Sequence, residues 1–262
     1  MRYHGAGMSS PRRSSTTLSA YRRLRQWYLR PLGQLLADRE QQALHEFLPT
    51  LFGYHLLVVD PPWERLALEG SRIRHRVLMR GEPDADAGLL GTPEALPVST
   101  DSVDMLILPH VLELADNPHE VLREADRCLI PEGHLAVLGF NPLSCWGVWR
   151  VLARRRGRLP WSARFISVSR LKDWLALLGF DTLAVRPVLF RPPLQRQGAL
   201  ERLAWLERLG RRGWPLGAGA YLLLARKRVV GLTPLRPRWR PRRRLLGSGI
   251  ANPSPRGYGR GA

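Results

Sequence analysis

Cysteine, long apolar runs and acidic residues at the chain ends are all scarce here, and each scarcity excludes something. Two cysteines in 262 residues, Cys128 and Cys145, provide neither a disulfide framework nor the paired spacing of a zinc site. Cys128 falls on the inner side of a helix by periodicity and reads as a buried thiol. No run of roughly 18 or more apolar residues is present, so no transmembrane segment is expected. Met1 to Ala20 contains arginines but no apolar stretch, which speaks against a secretory signal and for a cytoplasmic protein. A basic, acid-free start also suits an organellar targeting peptide, but an unfolded extension is the simpler reading.

The formal charge is +19 and is concentrated at the ends. Residues 1–30 carry seven arginines, and 226–262 carry ten arginines and one lysine, with no acidic residue in either stretch. The middle, 31–225, holds 23 basic and 22 acidic residues and is nearly neutral. Arg236, Arg238, Arg240, Arg242, Arg243 and Arg244 surround Trp239 and Pro241. Extended arginine neutralises phosphate and tryptophan stacks on bases, so nucleic acid is one candidate partner. An anionic lipid surface is another. A solvated tail without a specific partner is the plainest reading, because basic residues throughout the chain are almost all arginine and each one is correspondingly less informative.

Apolar periodicity predicts helices over 19–29 and 31–47, with Pro31 in a first turn where its missing N–H costs nothing. Strands are expected at 54–60, 73–79, 87–90 (weak), 103–108, 134–140, 180–190 and 219–227. Between them the pattern predicts a short helix at 63–69 and a helix from Pro118 to Leu129 capped by Asn117. A further helix is expected to start at a Ser169 cap and stop at Gly179, and 198–209 is an amphipathic stretch. Pro131-Glu132-Gly133 reads as a turn, and 141–168, with Trp146, Trp149 and Trp161, as an irregular basic insertion. The resulting domain plan is a disordered tail over 1–18, a helical extension over 19–50, an α/β domain over 51–229 and an unfolded Arg/Pro-rich tail over 230–262.

Strand His55-Leu56-Leu57-Val58-Val59-Asp60 lacks the glycine-rich turn that lets a backbone approach a nucleotide cofactor. Asp60-Pro61-Pro62-Trp63 follows instead, with bulk and two fewer N–H donors.

From Thr92 to Gly147 the chain resembles class I methyltransferases of the type 11 group. The resemblance is carried by Thr92-Pro93-Glu94-Ala95-Leu96-Pro97, by Asp101-Ser102-Val103-Asp104 with Pro109-His110-Val111-Leu112-Glu113, and by Arg123 to His134. Gly139-Phe140-Asn141-Pro142 with Ser144 and Trp146-Gly147 is similar to a little-studied bacterial subgroup. The resemblance implies a three-layer Rossmann-like α/β sandwich with a seven-stranded sheet in the order 3-2-1-4-5-7-6. It also implies S-adenosylmethionine as cofactor and methyl transfer to an unidentified acceptor. Carried over residue by residue, it makes Asp60, Glu82, Thr92, Glu94, Ala95, Leu96 and Pro109 the candidate cofactor contacts. His110, after the fourth strand, suits a general base, and equally a loop-ordering or capping role. Asn141 offers a donor and an acceptor to substrate, or forms a turn. Trp146, Trp149 and Arg150 suit a cover over the active-site mouth, a packed lid or a protein-binding patch. No metal-ligand spacing is present. The alternative function is a non-catalytic relative that binds a protein or nucleic acid, and Pro61-Pro62 and the late carboxylate Glu82 favour it.

Overall fold

The computed structural model describes residues 15–64, 68–153, 158–213 and 217–228. The arginine-rich tail 230–262 lies outside them. So does most of the 1–18 segment, whose last four residues begin a helix.

Among the described residues two helices come first, α1 (Ser15–Tyr28) and α2 (Pro31–Phe47). Seven strands follow: β1 (His55–Val59), β2 (His75–Arg80), β3 (Leu89–Leu90), β4 (Val103–Pro109), β5 (Leu129–Phe140), β6 (Phe180–Val188) and β7 (Ala220–Lys227). Among the described residues the remaining α-helices are α3 (Val111–Leu114), α4 (Pro118–Cys128), α5 (Cys145–Ala153), α6 (Val168–Leu177), α7 (Gln197–Arg202) and α8 (Trp205–Gly213). One sheet holds all seven strands in the order β3-β2-β1-β4-β5-β7-β6, with β7 antiparallel to both neighbours. This is the expected order and layer plan.

Alternation along the strands assigns side chains to two cores. Leu56, Val58, Met105, Ile107, Leu138 and Leu222 face Leu24, Trp27, Leu32, Leu36 and Leu44 of α1 and α2. Leu57, Val59, Leu106, Leu108, Val137 and Leu223 face Val121, Leu122 and Ala125 of α4 and Leu171 and Leu175 of α6. The central strands are therefore apolar at nearly every position, as a sheet covered on both faces requires. Cys128 is fully buried in the second core, as its helical phase indicates.

Several local expectations are corrected. Ser167, not Ser169, caps α6: its side chain accepts the Arg170 N–H. Pro131-Glu132-Gly133 is absorbed into β5, where pairing with β4 shifts between Val103 and Met105 and Glu132 adopts a φ of 63°. The insertion 141–168 is not irregular throughout, since it contains α5. The stretch 198–209 forms parts of two helices. Residues 65–67, at the centre of the expected 63–69 helix, lie outside the described residues.

The two N-terminal helices pack closely at Gly33, where an added Cβ would lie 2.4 Å from the Trp27 carbonyl oxygen. Backbone cannot yield there as a flexible side chain would. Gly33→Ala is expected to destabilise the protein by about 1–3 kcal/mol, the usual cost of overpacking. A denaturant midpoint equal to wild type would contradict this packing.

Candidate functional site

The carboxyl edge of an open α/β sheet is where its ligands bind. Here the residues that follow β1 and β4, Asp60 and His110, both sit in the left-handed region, at φ 44° and 55°. Aspartate and histidine tolerate that region better than most residues. Each backbone turns sharply and directs its side chain back over the strand ends.

His110 is fully buried. Its Nδ1 lies 2.7 Å from Glu113 Oε2, and its Nε2 lies 2.7 Å from Glu40 Oε1. Two acceptors on one ring require both nitrogens to carry hydrogen, so the ring is an imidazolium. Burial alone would push its pKa down. The charges of Glu113 and Glu40, and their hydrogen bonds, outweigh burial and raise it to about 10. Phe140 stacks on the ring with centroids 4.1 Å apart.

Glu40, also fully buried, accepts further bonds from Tyr28 Oη at 3.0 Å and Trp63 Nε1 at 2.8 Å. Burial, then the Glu40 charge, pushes the Tyr28 hydroxyl well above its ordinary pKa and keeps it a donor. Glu113 accepts the backbone N–H of Phe140 through its other oxygen. One network thus joins α1, α2, the turn after β1, the end of β4, α3 and the end of β5. His110 was singled out by sequence and Glu113 belonged to the resemblance, but Glu40 was missed. Its signal was present: Leu32, Leu36, Glu40 and Leu44 recur at four-residue spacing, which puts a carboxylate in the apolar stripe of α2.

The other candidate residues divide by element. Asp60, Glu82, Pro109 and Asn141 stand with His110 at the carboxyl ends of β1, β2, β4 and β5. Thr92, Glu94, Ala95 and Leu96 form a turn between β3 and β4, closed by Ala95 N–H to Thr92 O at 3.1 Å. Glu124 of α4 accepts the Leu96 N–H, and Arg127 binds the carbonyls of Leu96 and Val98, so the loop is pinned from behind. The Thr92 hydroxyl is buried and has no hydrogen-bond partner among the described residues. Asn141 is buried: its amide donates to Ala218 O and its carbonyl accepts the Leu143 N–H, which shapes the turn after β5. Trp146 and Trp161 are core residues, and Trp146 Nε1 binds Arg191 O; Trp149 alone of the three is exposed.

Helix α1 lies across this edge. Thr17 Oγ1 donates to Asp116 at 3.0 Å, Tyr21 Oη to the Val111 carbonyl at 3.2 Å, and Arg22 to both oxygens of Glu82. Arg25 lies 3.4 Å from Asp60 and 3.5 Å from Asp84. Asp60 also accepts the Gly81 N–H, and Arg80 donates to the Pro61 carbonyl. Arg80 is buried; burial, then the Arg25 charge, lowers its pKa.

A cavity of about 510 Å³ opens farther along the edge, lined by Asn141, Leu143, Lys172, Val185, Ala218 and Tyr221 among others. A second, of about 620 Å³, lies toward the amino ends of β1 and β2 over Leu57, Val77 and Leu89. Neither is lined by Asp60, Glu82, Thr92, Pro109 or His110.

A seven-stranded sheet in this order, with a loop and strand edge of this kind, defines the class I methyltransferase fold, and comparison with known proteins agrees. A model of the methyltransferase domain matches residues 45–137. A SAM-dependent methyltransferase structure from Thermotoga maritima superposes with a TM-score of 0.51 at 22% identity, covering 80% of this chain and 96% of that one. The [4+2]-cyclase SpnF superposes equally well, at 20% identity over 74% of this chain and 81% of its own. YafS of Escherichia coli strain K12 is 30% identical over 207 residues, 79% of this chain and 82% of YafS. The chain belongs to the family of YafS, and its residues 45–137 carry the match to the type 11 methyltransferase domain.

The cofactor of that family is S-adenosylmethionine. The strand edge does not fit it as arranged. Asp60, Pro61, Pro62 and Trp63 are all buried, the two prolines offer no N–H, and Trp63 is committed to Glu40. Arg22 engages Glu82, and α1 side chains bridge the ends of β1, β2 and β4.

The imidazolium yields a prediction about pH. A folded pKa raised above the unfolded value, about 6.5, contributes stability that is complete below the unfolded value and is lost as pH rises through the folded one. Stability should therefore fall between about pH 6.5 and about pH 10, and this slope should shrink in His110→Asn. The same variant should lose about 3–5 kcal/mol at neutral pH, because both carboxylates lose their buried counter-charge. Denaturant titrations of both proteins across pH would reveal parallel slopes if the network were absent.

Proposed function

We propose that the protein is an S-adenosylmethionine-dependent methyltransferase that admits its cofactor only after α1 has moved off the strand edge. The observation that carries this reading is the position of α1, hydrogen-bonded at Val111, Glu82 and Asp116 over the half of the edge matched to the cofactor. The unsatisfied Thr92 hydroxyl supports it, because a ligand group arriving at that loop would supply the partner the site lacks. The acceptor enters the cavity beside Asn141. Its walls are largely aliphatic and aromatic, with Lys172 as the cation, which suits an apolar molecule bearing an anionic group. His110 acts as a positioning residue here, not as a base, since both of its nitrogens already donate within the fold.

A binding-competent state that is seldom populated weakens apparent affinity by the same fraction. Loosening α1 should therefore strengthen cofactor binding. In calorimetric titrations, Thr17→Ala/Tyr21→Phe/Arg22→Ala is expected to bind S-adenosylmethionine at least tenfold more tightly than wild type, a gain of about 1.4 kcal/mol. If neither protein gives heat at about millimolar cofactor while the variant still melts cooperatively, the methyltransferase reading fails. The half-buried Asp60–Arg25 contact and Pro61-Pro62 would then belong to a non-catalytic relative that binds a protein or nucleic-acid partner.

A further inference from the structure

The surface of α5 is apolar where it faces outward. Val148, Trp149, Val151 and Leu152 are 66%, 42%, 71% and 69% exposed, and Leu143, just before the helix, is 62% exposed. Cys145, Val148, Trp149 and Leu152 are spaced i, i+3, i+4 and i+7, so they form one stripe. The opposite side is also apolar: Trp146 and Gly147 are buried, and an added Cβ at Gly147 would lie 1.9 Å from the Pro142 carbonyl oxygen. Arg150 turns inward, donates to Ala163 O and lies over the Phe165 ring. A helix apolar on both sides is covered on both sides in its working state.

Charge indicates what covers the outer side. The chain between its basic ends is nearly neutral, yet residues 133–172 contain no Asp or Glu and carry seven arginines and one lysine. Four of these, Arg154, Arg155, Arg156 and Arg158, follow α5 directly in sequence. Arg164, Arg170 and Lys172 are exposed on the segment that leads into and opens α6. An aliphatic stripe with a half-exposed tryptophan, set within an acid-free basic segment, matches a helix that lies in the interface of an anionic bilayer. A nucleic acid would use the arginines and Trp149 but gain nothing from Val148, Val151, Leu152 and Leu143. A second copy of this chain would use the apolar stripe but be repelled by the like charge around it.

We propose that α5 docks the protein on an anionic membrane surface, with Val148, Trp149 and Leu152 inserted among the acyl chains and the exposed Arg164, Arg170 and Lys172 supplying charge for the headgroup phosphates. Leu143 belongs both to this surface and to the cavity beside Asn141, so the docked face adjoins that cavity. Docking is independent of the methyl-transfer reading and stands or falls separately.

The test is flotation of the full chain with phosphatidylcholine vesicles, with and without about one-third phosphatidylglycerol, at low and high salt. Wild type is expected to float with the anionic vesicles. Val148→Ser/Trp149→Ser/Leu152→Ser should partition at least tenfold less while keeping the wild-type melting temperature, since all three side chains are exposed. Brominated acyl chains should quench tryptophan emission in wild type, and most of that quenching should vanish in Trp149→Phe, which still floats. Equal flotation of the triple variant and wild type would show that the arginine-rich ends bind without α5, and would overturn the proposal. So would wild type that fails to float, a triple variant that loses RNA binding instead, or a lipid-free dimer that the variant dissociates.

Discussion

The proton that Glu40 and Glu113 hold on His110 is the interaction on which the arrangement of this strand edge depends. Each carboxylate alone would be an uncompensated buried charge, and the imidazole alone would be neutral. Together, with Tyr28, Trp63 and the Phe140 N–H completing the acceptor sites, they are satisfied in a space from which water is excluded. Such a network is better evidence for a specified arrangement than for net stability, because desolvating the charges offsets much of their attraction. What it specifies is where α1 and α2 sit: the network attaches Tyr28 and Glu40 to the ends of β4 and β5.

That placement has a functional consequence. A helix attached at Tyr28 and running back to Thr17 must cross the ends of β4, β1 and β2. Its polar side chains then meet groups at those strand ends: Arg25 at Asp60, Arg22 at Glu82 and Tyr21 at the Val111 carbonyl. The missing glycines after β1 fit the same picture. In the arrangement seen here that turn is held by the chain's own side chains, Arg25 at Asp60 and Arg80 at the Pro61 carbonyl, and the two prolines leave no N–H there without a partner. The cavity beside Asn141 lies beyond the reach of α1, so the two halves of the edge differ in access.

Much of the fold was legible in the residues. The strands at the sheet centre are apolar runs bounded by Asp, Pro and Gly, and Asn117-Pro118 marks the start of α4 as a cap and first turn should. Errors fell where two signals overlapped. Ser167 and Ser169 are both competent caps, and only the actual turn shows which one bonds the Arg170 N–H. Around Trp146 and Trp149 both sides of the helix are apolar, so the periodicity that would have revealed α5 is flattened. Pro131-Glu132-Gly133 has the composition of a turn but forms a bulge inside β5: pairing with β4 jumps from Leu129 to His134, and pairing with β7 begins at His134.

By itself the sequence determined the strands, their two-sided burial and the presence of carboxylates and a histidine at the strand ends, because these follow from local pattern and strand period; the order of the sheet came from the resemblance. Only the tertiary structure decided what those groups face. Asp60 meets an arginine 35 positions earlier, and His110 meets a glutamate 70 positions earlier. No local periodicity encodes such pairings: they exist because α1 and α2 fold back across the strand ends, and the packing of that crossing sets which charges meet.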